Sequence, residues 1–192
     1  MISVFKSYIS SKIALTEEEW ALIERVCTIK KLRKQQFLLE AGDVWRYNAF
    51  VCQGCLRRYK TDAKGVEHIV QFATENSWTG DRSSLMNGTP SEYNIDAIEG
   101  SVILLIKKED FEHITASVPT FRDLVNNILE KSLIASQERI HSSISLSAEE
   151  KYIAFTRSFP DLSNRVPRHM LASYLGMTPE TLSRVRRAAM KK

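Results

Sequence analysis

Residues Arg168 to Arg187 read R-H-M-L-A-S-Y-L-G-M-T-P-E-T-L-S-R-V-R-R, and this stretch decides how the rest of the chain is read. Leu171, Ala172 and Leu175 fall at i, i+1 and i+4, the spacing of one buried helix stripe. Gly176 breaks that helix, because glycine takes a left-handed conformation that other residues adopt only with strain. Thr178 and Pro179 then supply an N-cap and a first-turn proline for a second helix. Leu182 and Val185 form the core face of that helix, and Ala172 lets the two backbones approach closely. Two helices crossing over a tight turn make a helix-turn-helix, whose second helix suits a DNA major groove.

Charge supports this reading. From Leu162 to the C-terminus there are seven basic residues against Glu180 alone, a net of +6, so the whole-chain net of +4 leaves −2 on the remainder. A basic module on a slightly acidic body is the layout of a nucleic-acid reader attached to something else. No run of 18 or more apolar residues implies a membrane span. Met1-Ile-Ser-Val-Phe-Lys lacks a signal-peptide core, so a cytoplasmic location is expected.

Working outward, Thr16-Glu17-Glu18-Glu19 is a capping box that opens a short helix bearing Trp20, Ile23 and Val26. From there to about Lys108, β-rich runs alternate with turn signals: Lys31–Leu39, Ala49–Cys52, Leu56–Lys60, His68–Ala73, Tyr93–Ile98 and Val102–Ile106. That rhythm predicts an antiparallel sandwich or barrel. The stretch from Thr74 to Ser91 is irregular, long enough to be a binding element. A short helix from Phe111 ends near Pro119, and a long one follows from Thr120 to about Ser142. Its apolar face, with Phe121, Leu124, Val125, Ile128, Leu129, Leu133 and Ile134, is wider than one small sheet would cover, which suits pairing with a second copy. Ser147-Ala148-Glu149-Glu150 is a second capping box, and the serine-rich segment Ser142–Ser147 is the expected hinge. The divisions expected are 1–118, a β-roll sensor; 119–146, a dimerisation helix and hinge; and 147–192, the helix-turn-helix unit.

Other chemistries find little support. Cys52-Gln-Gly-Cys55 lies between two strand-like runs, so it reads as two cysteines flanking a hairpin turn, and no further ligands match it for zinc. His68, His113, His141 and His169 are scattered without nucleophile–base spacing, so no catalytic residue, metal or cofactor is assigned and an enzyme is not expected.

The order of parts resembles the Crp/Fnr family of bacterial transcription regulators over nearly the whole chain. Leu171 to Arg186 is similar to that family's DNA-binding signature, and Glu92 to Phe111 resembles the last strands and following helix of its cyclic-nucleotide-binding fold. The run P-S-E-Y-N from Pro90 looks most similar to the Bacteroidetes branch. The resemblance implies an α+β chain with a jelly-roll (double-stranded β-helix) sensor, a long dimer helix and a winged-helix-like helix-turn-helix. It also implies a homodimer on a two-fold symmetric operator, with RNA polymerase as a partner. It carries no effector with it. Gly80-Asp81 stands where family members that bind cyclic nucleotides have a Gly-Glu pair for the ribose. Ser91-Glu92 stands where they have an Arg-Ser pair for the phosphate, which argues against cyclic AMP. The four cysteines of an iron–sulfur sensor are also missing. Trp78, Gly80, Asp81, Ser91 and Tyr93 are the candidate pocket for an unidentified small-molecule effector.

Glu180, Ser183, Arg184 and Arg187 share one face of the second helix, opposite Leu182 and Val185. Arg184 suits the O6/N7 edge of guanine, Glu180 a cytosine amino group, and Ser183 a base edge or thymine methyl. E-x-x-S-R is similar to Fnr-like readers, which implies a TTGA-type core. Thr178, Arg168, Arg186, Arg187, Lys191 and Lys192 are expected to hold phosphates. Any β-wing would lie around Ser163 to Val166. The alternative is a sensor or interaction scaffold whose helix-turn-helix does not read DNA, which an absence of salt-dependent DNA binding would favour.

Overall fold

The computed structural model describes residues 1–189; Lys191 and Lys192 lie outside the described residues. The chain opens with α1 (Ile2–Ser10) and α2 (Glu17–Arg25). Strands β1 (Thr28–Leu32), β2 (Phe37–Leu39), β3 (Tyr47–Gln53), β4 (Leu56–Thr61), β5 (Glu67–Ala73) and β6 (Trp78–Thr79) follow. Next come α3 (Arg82–Asn87), β7 (Asn94–Ala97), β8 (Ser101–Lys107), α4 (Lys108–Ser117) and α5 (Pro119–Ser145). The chain continues through α6 (Ala148–Ser158), α7 (Leu162–Arg165), α8 (Arg168–Leu175) and α9 (Pro179–Ala189).

The strands form two antiparallel four-stranded sheets, ordered β1-β8-β3-β6 and β2-β7-β4-β5. Why the first sheet sits centrally is written in its strands, which are apolar on both faces. Ala49 and Val51 of β3, with Ile103 and Leu105 of β8, point between the sheets, where they meet Leu39, Trp45, Leu56 and Ile95. The alternate residues Phe50, Cys52, Leu104 and Ile106 point the other way, into a second cluster roofed by α1, α2, α4 and α5. Phe5 lies at its centre, with ring centroids 5.0 Å from Phe50 and 5.8 Å from Trp78. Aromatic pairs of this kind add about 0.5–1.5 kcal/mol each beyond their buried area.

Several sequence expectations change here. Helix α1 was not anticipated, although its Ile2, Phe5 and Ile9 have helical spacing and Phe5 and Ile9 are wholly buried. The run from Lys31 to Leu39 is two strands in different sheets, broken at Gln35, whose φ is +65°. The Gln53-Gly54 turn is not a hairpin. Strands β3 and β4 belong to opposite sheets, so the turn is a corner between them, and Cys52 and Cys55 enter different clusters. Gly54 fits that corner with φ +96°, and a Cβ there would stand 2.2 Å from Ser101 Oγ. Both thiols are free and buried, and burial pushes the Cys55 thiol up to about 12. Between Ser163 and Val166, the place any β-wing would take, the chain forms the helical turn α7, and no strand occurs beyond β8 among the described residues.

The two capping boxes form as expected. Thr16 and Glu19 satisfy one another's backbone N–H groups at the start of α2, and Ser147 and Glu150 do the same for α6. Pro119 takes the first-turn position of α5. The first half of α5 buries Phe121 and Leu124 against the β-roll, while Leu133, Ile134, Ile140 and Ile144 in its second half are exposed.

A third cluster joins the β-roll to the C-terminal helices. Cys55 at the β3–β4 corner and Ile98 just after β7 are buried together with Phe155, Leu162, Val166, Leu171, Ala172 and Leu182. This packing crosses the expected hinge. Polar contacts reinforce it: the Ser173 hydroxyl of α8 donates to the Glu67 carbonyl at 2.7 Å and accepts from the Ile69 N–H at 3.1 Å. Arg165 forks onto both oxygens of Glu75 at 2.9 Å and also pairs with Glu99. Arg139 of α5 donates to the carbonyls of Ile69 and Val70 and lies over the Tyr174 ring.

Candidate nucleic-acid interface and effector cavity

Helix α8 ends where the sequence places its break. Gly176 adopts φ +66° and ψ +38°, and the N–H groups of Gly176 and Met177 close onto the carbonyls of Ser173 and Ala172 at 3.1 and 3.0 Å. The Thr178 hydroxyl accepts from the Thr181 N–H at 3.2 Å, capping α9. Leu171 and Ala172 of α8 meet Leu182 of α9 in the third cluster, which fixes the crossing. These contacts leave the opposite face of α9 outward.

On that face, Glu180, Arg184 and Arg187 are exposed and Ser183 is half-buried. The Glu180 carboxyl is held below the usual carboxylate range by its own backbone N–H and by the Thr178 hydroxyl. It is therefore an ionised acceptor at the helix start, where the helix dipole also favours negative charge. Ser183 donates its hydroxyl back to the Pro179 carbonyl at 2.9 Å, which leaves it an acceptor toward a base edge. Arg187 turns toward the Ser183 carbonyl at 3.3 Å. Arg184 makes no hydrogen bond or ion pair among the described residues, so its fork is uncommitted. Arg168 at the start of α8 lines one recess with Ser183, Arg186 and Arg187, so two helices bring three arginines to one place. Such a convergence beside an exposed helix face suits a phosphate backbone flanking a groove.

The second site lies between the β-roll and α5, where a cavity of about 180 Å³ opens. Trp78, Gly80 and Asp81 line it, as do Trp45, Tyr47, Leu85, Phe111, Ile128 and Leu129. Gly80 is required there: φ is +145°, and a Cβ would stand 2.5 Å from the Trp45 indole nitrogen. Ser91 and Tyr93 are not in the wall. The Ser91 hydroxyl lies behind it, donating to Asp81 at 2.7 Å. Asp81 also accepts from the N–H groups of Ser83 and Ser84, so this carboxylate caps α3. Glu92 faces solvent and pairs with Lys60 at 2.8 Å. The carboxylate nearest the cavity is therefore Asp81, not Glu92. One wall residue went unnoticed in the sequence: Arg58, which donates to the Gly80 carbonyl and lies beneath the Tyr93 ring.

No group of three or more His, Cys, Asp and Glu side chains is placed to hold a metal ion, and no helix is long and apolar enough to cross a membrane, among the described residues.

Residues 29–117 match the model of the cyclic nucleotide-binding domain. The regulatory protein HlyX of Actinobacillus pleuropneumoniae is 26% identical over 183 residues, covering 89% of this chain and 75% of that protein. The fumarate and nitrate reduction regulatory protein of Vibrio cholerae is likewise 26% identical, covering 89% of this chain and 72% of its own. Among solved structures, FixK2 from Bradyrhizobium japonicum superimposes with a TM-score of 0.76 at 20% identity, covering 86% of this chain and 85% of that one. The last of these bears on the fold.

Proposed function

We propose that the chain is a transcription regulator of the Crp/Fnr type that reads DNA through α9 as a homodimer on a two-fold symmetric operator, a reading supported by the matched cyclic nucleotide-binding domain and by its similarity to regulatory proteins. The observation that carries this is Arg184, exposed, uncommitted and flanked by Glu180 and Ser183 on the free face of α9. Arg184 forks onto guanine, Glu180 accepts from a cytosine amino group, and Ser183 meets a base edge or thymine methyl, within a TTGA-type core. Arg168, Thr178, Arg186 and Arg187 hold phosphates and set the register, and Lys191 and Lys192 belong to the same charged end. The exposed Leu133, Ile140 and Ile144 lie at i, i+7 and i+11 on α5, a stripe that a second copy covers. The regulator works in the cytoplasm alongside RNA polymerase. Its cavity, with Asp81 committed to a cap and Ser91 behind it, takes an effector other than cyclic AMP.

The test is a titration of wild-type protein and Arg184→Ala on operator and random DNA at two salt concentrations. Arg184→Ala should weaken operator binding by about 1–3 kcal/mol and leave random DNA nearly unchanged. Equal loss on both DNAs rules out base reading by Arg184. No salt-dependent binding to either DNA removes the reading altogether.

A further inference from the structure

Two neighbouring arginines on β4 are used in opposite ways. Arg57, on the outer face, places its Nε and Nη2 on the two oxygens of Asp96, each at 2.8 Å, and pairs with Glu67 through Nη1. Arg58 shares the inner side of the sheet with Leu56, in the wall of the cavity with Trp45, Ala49 and Leu85. Its Nη1 reaches the Gly80 carbonyl, but its Nε is sealed from solvent with no hydrogen-bond partner. No carboxylate lies within ion-pair distance of Arg58 among the described residues. A guanidinium in a largely apolar wall with no anionic partner is an incomplete ion pair.

The remaining walls say what would complete it. Opposite the sheet, the cavity is lined by Phe111, Val125, Ile128 and Leu129, with Ser132 the polar residue on that side. Its charged groups are Arg58 and, at the exposed rim, Arg82, against Asp81, which leaves one positive charge over. The volume of about 180 Å³ takes a body of roughly benzene size with a short substituent.

We propose that this cavity binds a small organic monocarboxylate, its anionic group on the Arg58 guanidinium and its apolar body against Phe111, Ile128 and Leu129. The proposal rests on reading the cavity as an effector site, and it sets the chemical class of that effector. The negative charge is met from β4, and Ser91 lies behind the wall. A dianion or a nucleotide exceeds both the spare charge and the volume.

The experiment is calorimetric titration of the full chain, without DNA, using benzoate and isovalerate beside their uncharged isosteres benzamide and isovaleramide. At least one acid should bind tenfold or more tightly than its amide. Arg58→Met should abolish that difference. Leu129→Trp, which fills the cavity from α5 without touching Arg58, should abolish binding of acid and amide alike. Failure of both acids to bind, or equal binding of acid and amide, overturns the proposal. So does an acid preference that survives in Arg58→Met. Operator binding is measured separately on the same protein. DNA binding without an acid preference sinks only the carboxylate, and an acid preference without DNA binding sinks only the regulator.

Discussion

Replacing Arg165 with methionine should loosen the C-terminal helices from the β-roll. Three charge-assisted contacts are lost, two to Glu75 at 2.9 Å and one to Glu99. The side chains are 28% exposed for Arg165 and 37% and 38% for the two glutamates, so water screens much of the attraction. Fully buried contacts of this kind are worth about 1.5–3 kcal/mol each and exposed ion pairs about 0–1. For this partly wet trio, a total of about 1–2 kcal/mol is reasonable, a five- to thirtyfold rise in the undocked population. Methionine keeps most of the apolar stem, so the third cluster beneath stays packed. The readout is amide exchange at Ile69, whose N–H is held by Ser173 Oγ across this same contact. Exchange there should quicken by that factor while amides in β3 and β8 are unchanged. A folded Arg165→Met protein whose Ile69 exchanges at the wild-type rate would refute the reasoning.

Other outcomes follow from the same structure. Burial alone would raise the Glu75 carboxyl, but bonds from Arg165 and the Gly54 N–H outweigh it and hold it below its ordinary value of 4.5. Its contribution is therefore present above about pH 4.5 and lost as pH falls through the lowered value, and Glu75→Gln should flatten that part of an acid melting curve. Gly176→Ala meets no atom within 4 Å, so its cost is the left-handed backbone alone, about 1 kcal/mol in urea unfolding. A loss several times larger would mean the site is crowded after all. Leu133→Lys with Ile140→Lys should give monomers in sedimentation with an unchanged fold, since both side chains are exposed in one copy. A dimer that persists would place the contact elsewhere.

Local signals in the sequence were legible where the physics is local. Thr16 with Glu19, Ser147 with Glu150, and Gly176 before Thr178 each specify a helix end within four residues, and each forms. Sheet membership is not local. Nothing in Ala49 to Lys60 tells a hairpin from a corner, because partners come from β8, β6, β7 and β5. The apolar spacing of Ile2, Phe5 and Ile9 was there to be read, and helix α1 could have been found. The outward face of α9 follows from helical periodicity, whereas the cavity does not. Arg58 sits in the run L-R-R-Y-K, where one arginine looks like the next, and only the pairing of β4 sends one outward and the other in.

The cluster that holds Cys55 and Ile98 together with Leu171, Ala172 and Leu182 has a thermodynamic consequence. Part of the helix-turn-helix core is supplied by the β-roll, so the two ends of the chain share one cooperative transition. A scanning calorimeter should record a single heat-absorption peak, and a fragment cut between α5 and α6 would carry its apolar floor into water. Grafting the α8–α9 pair onto a different β-roll would likewise require carrying the Cys55 corner and Ile98 with it. The unit of inheritance for this pair of helices extends into the β-roll.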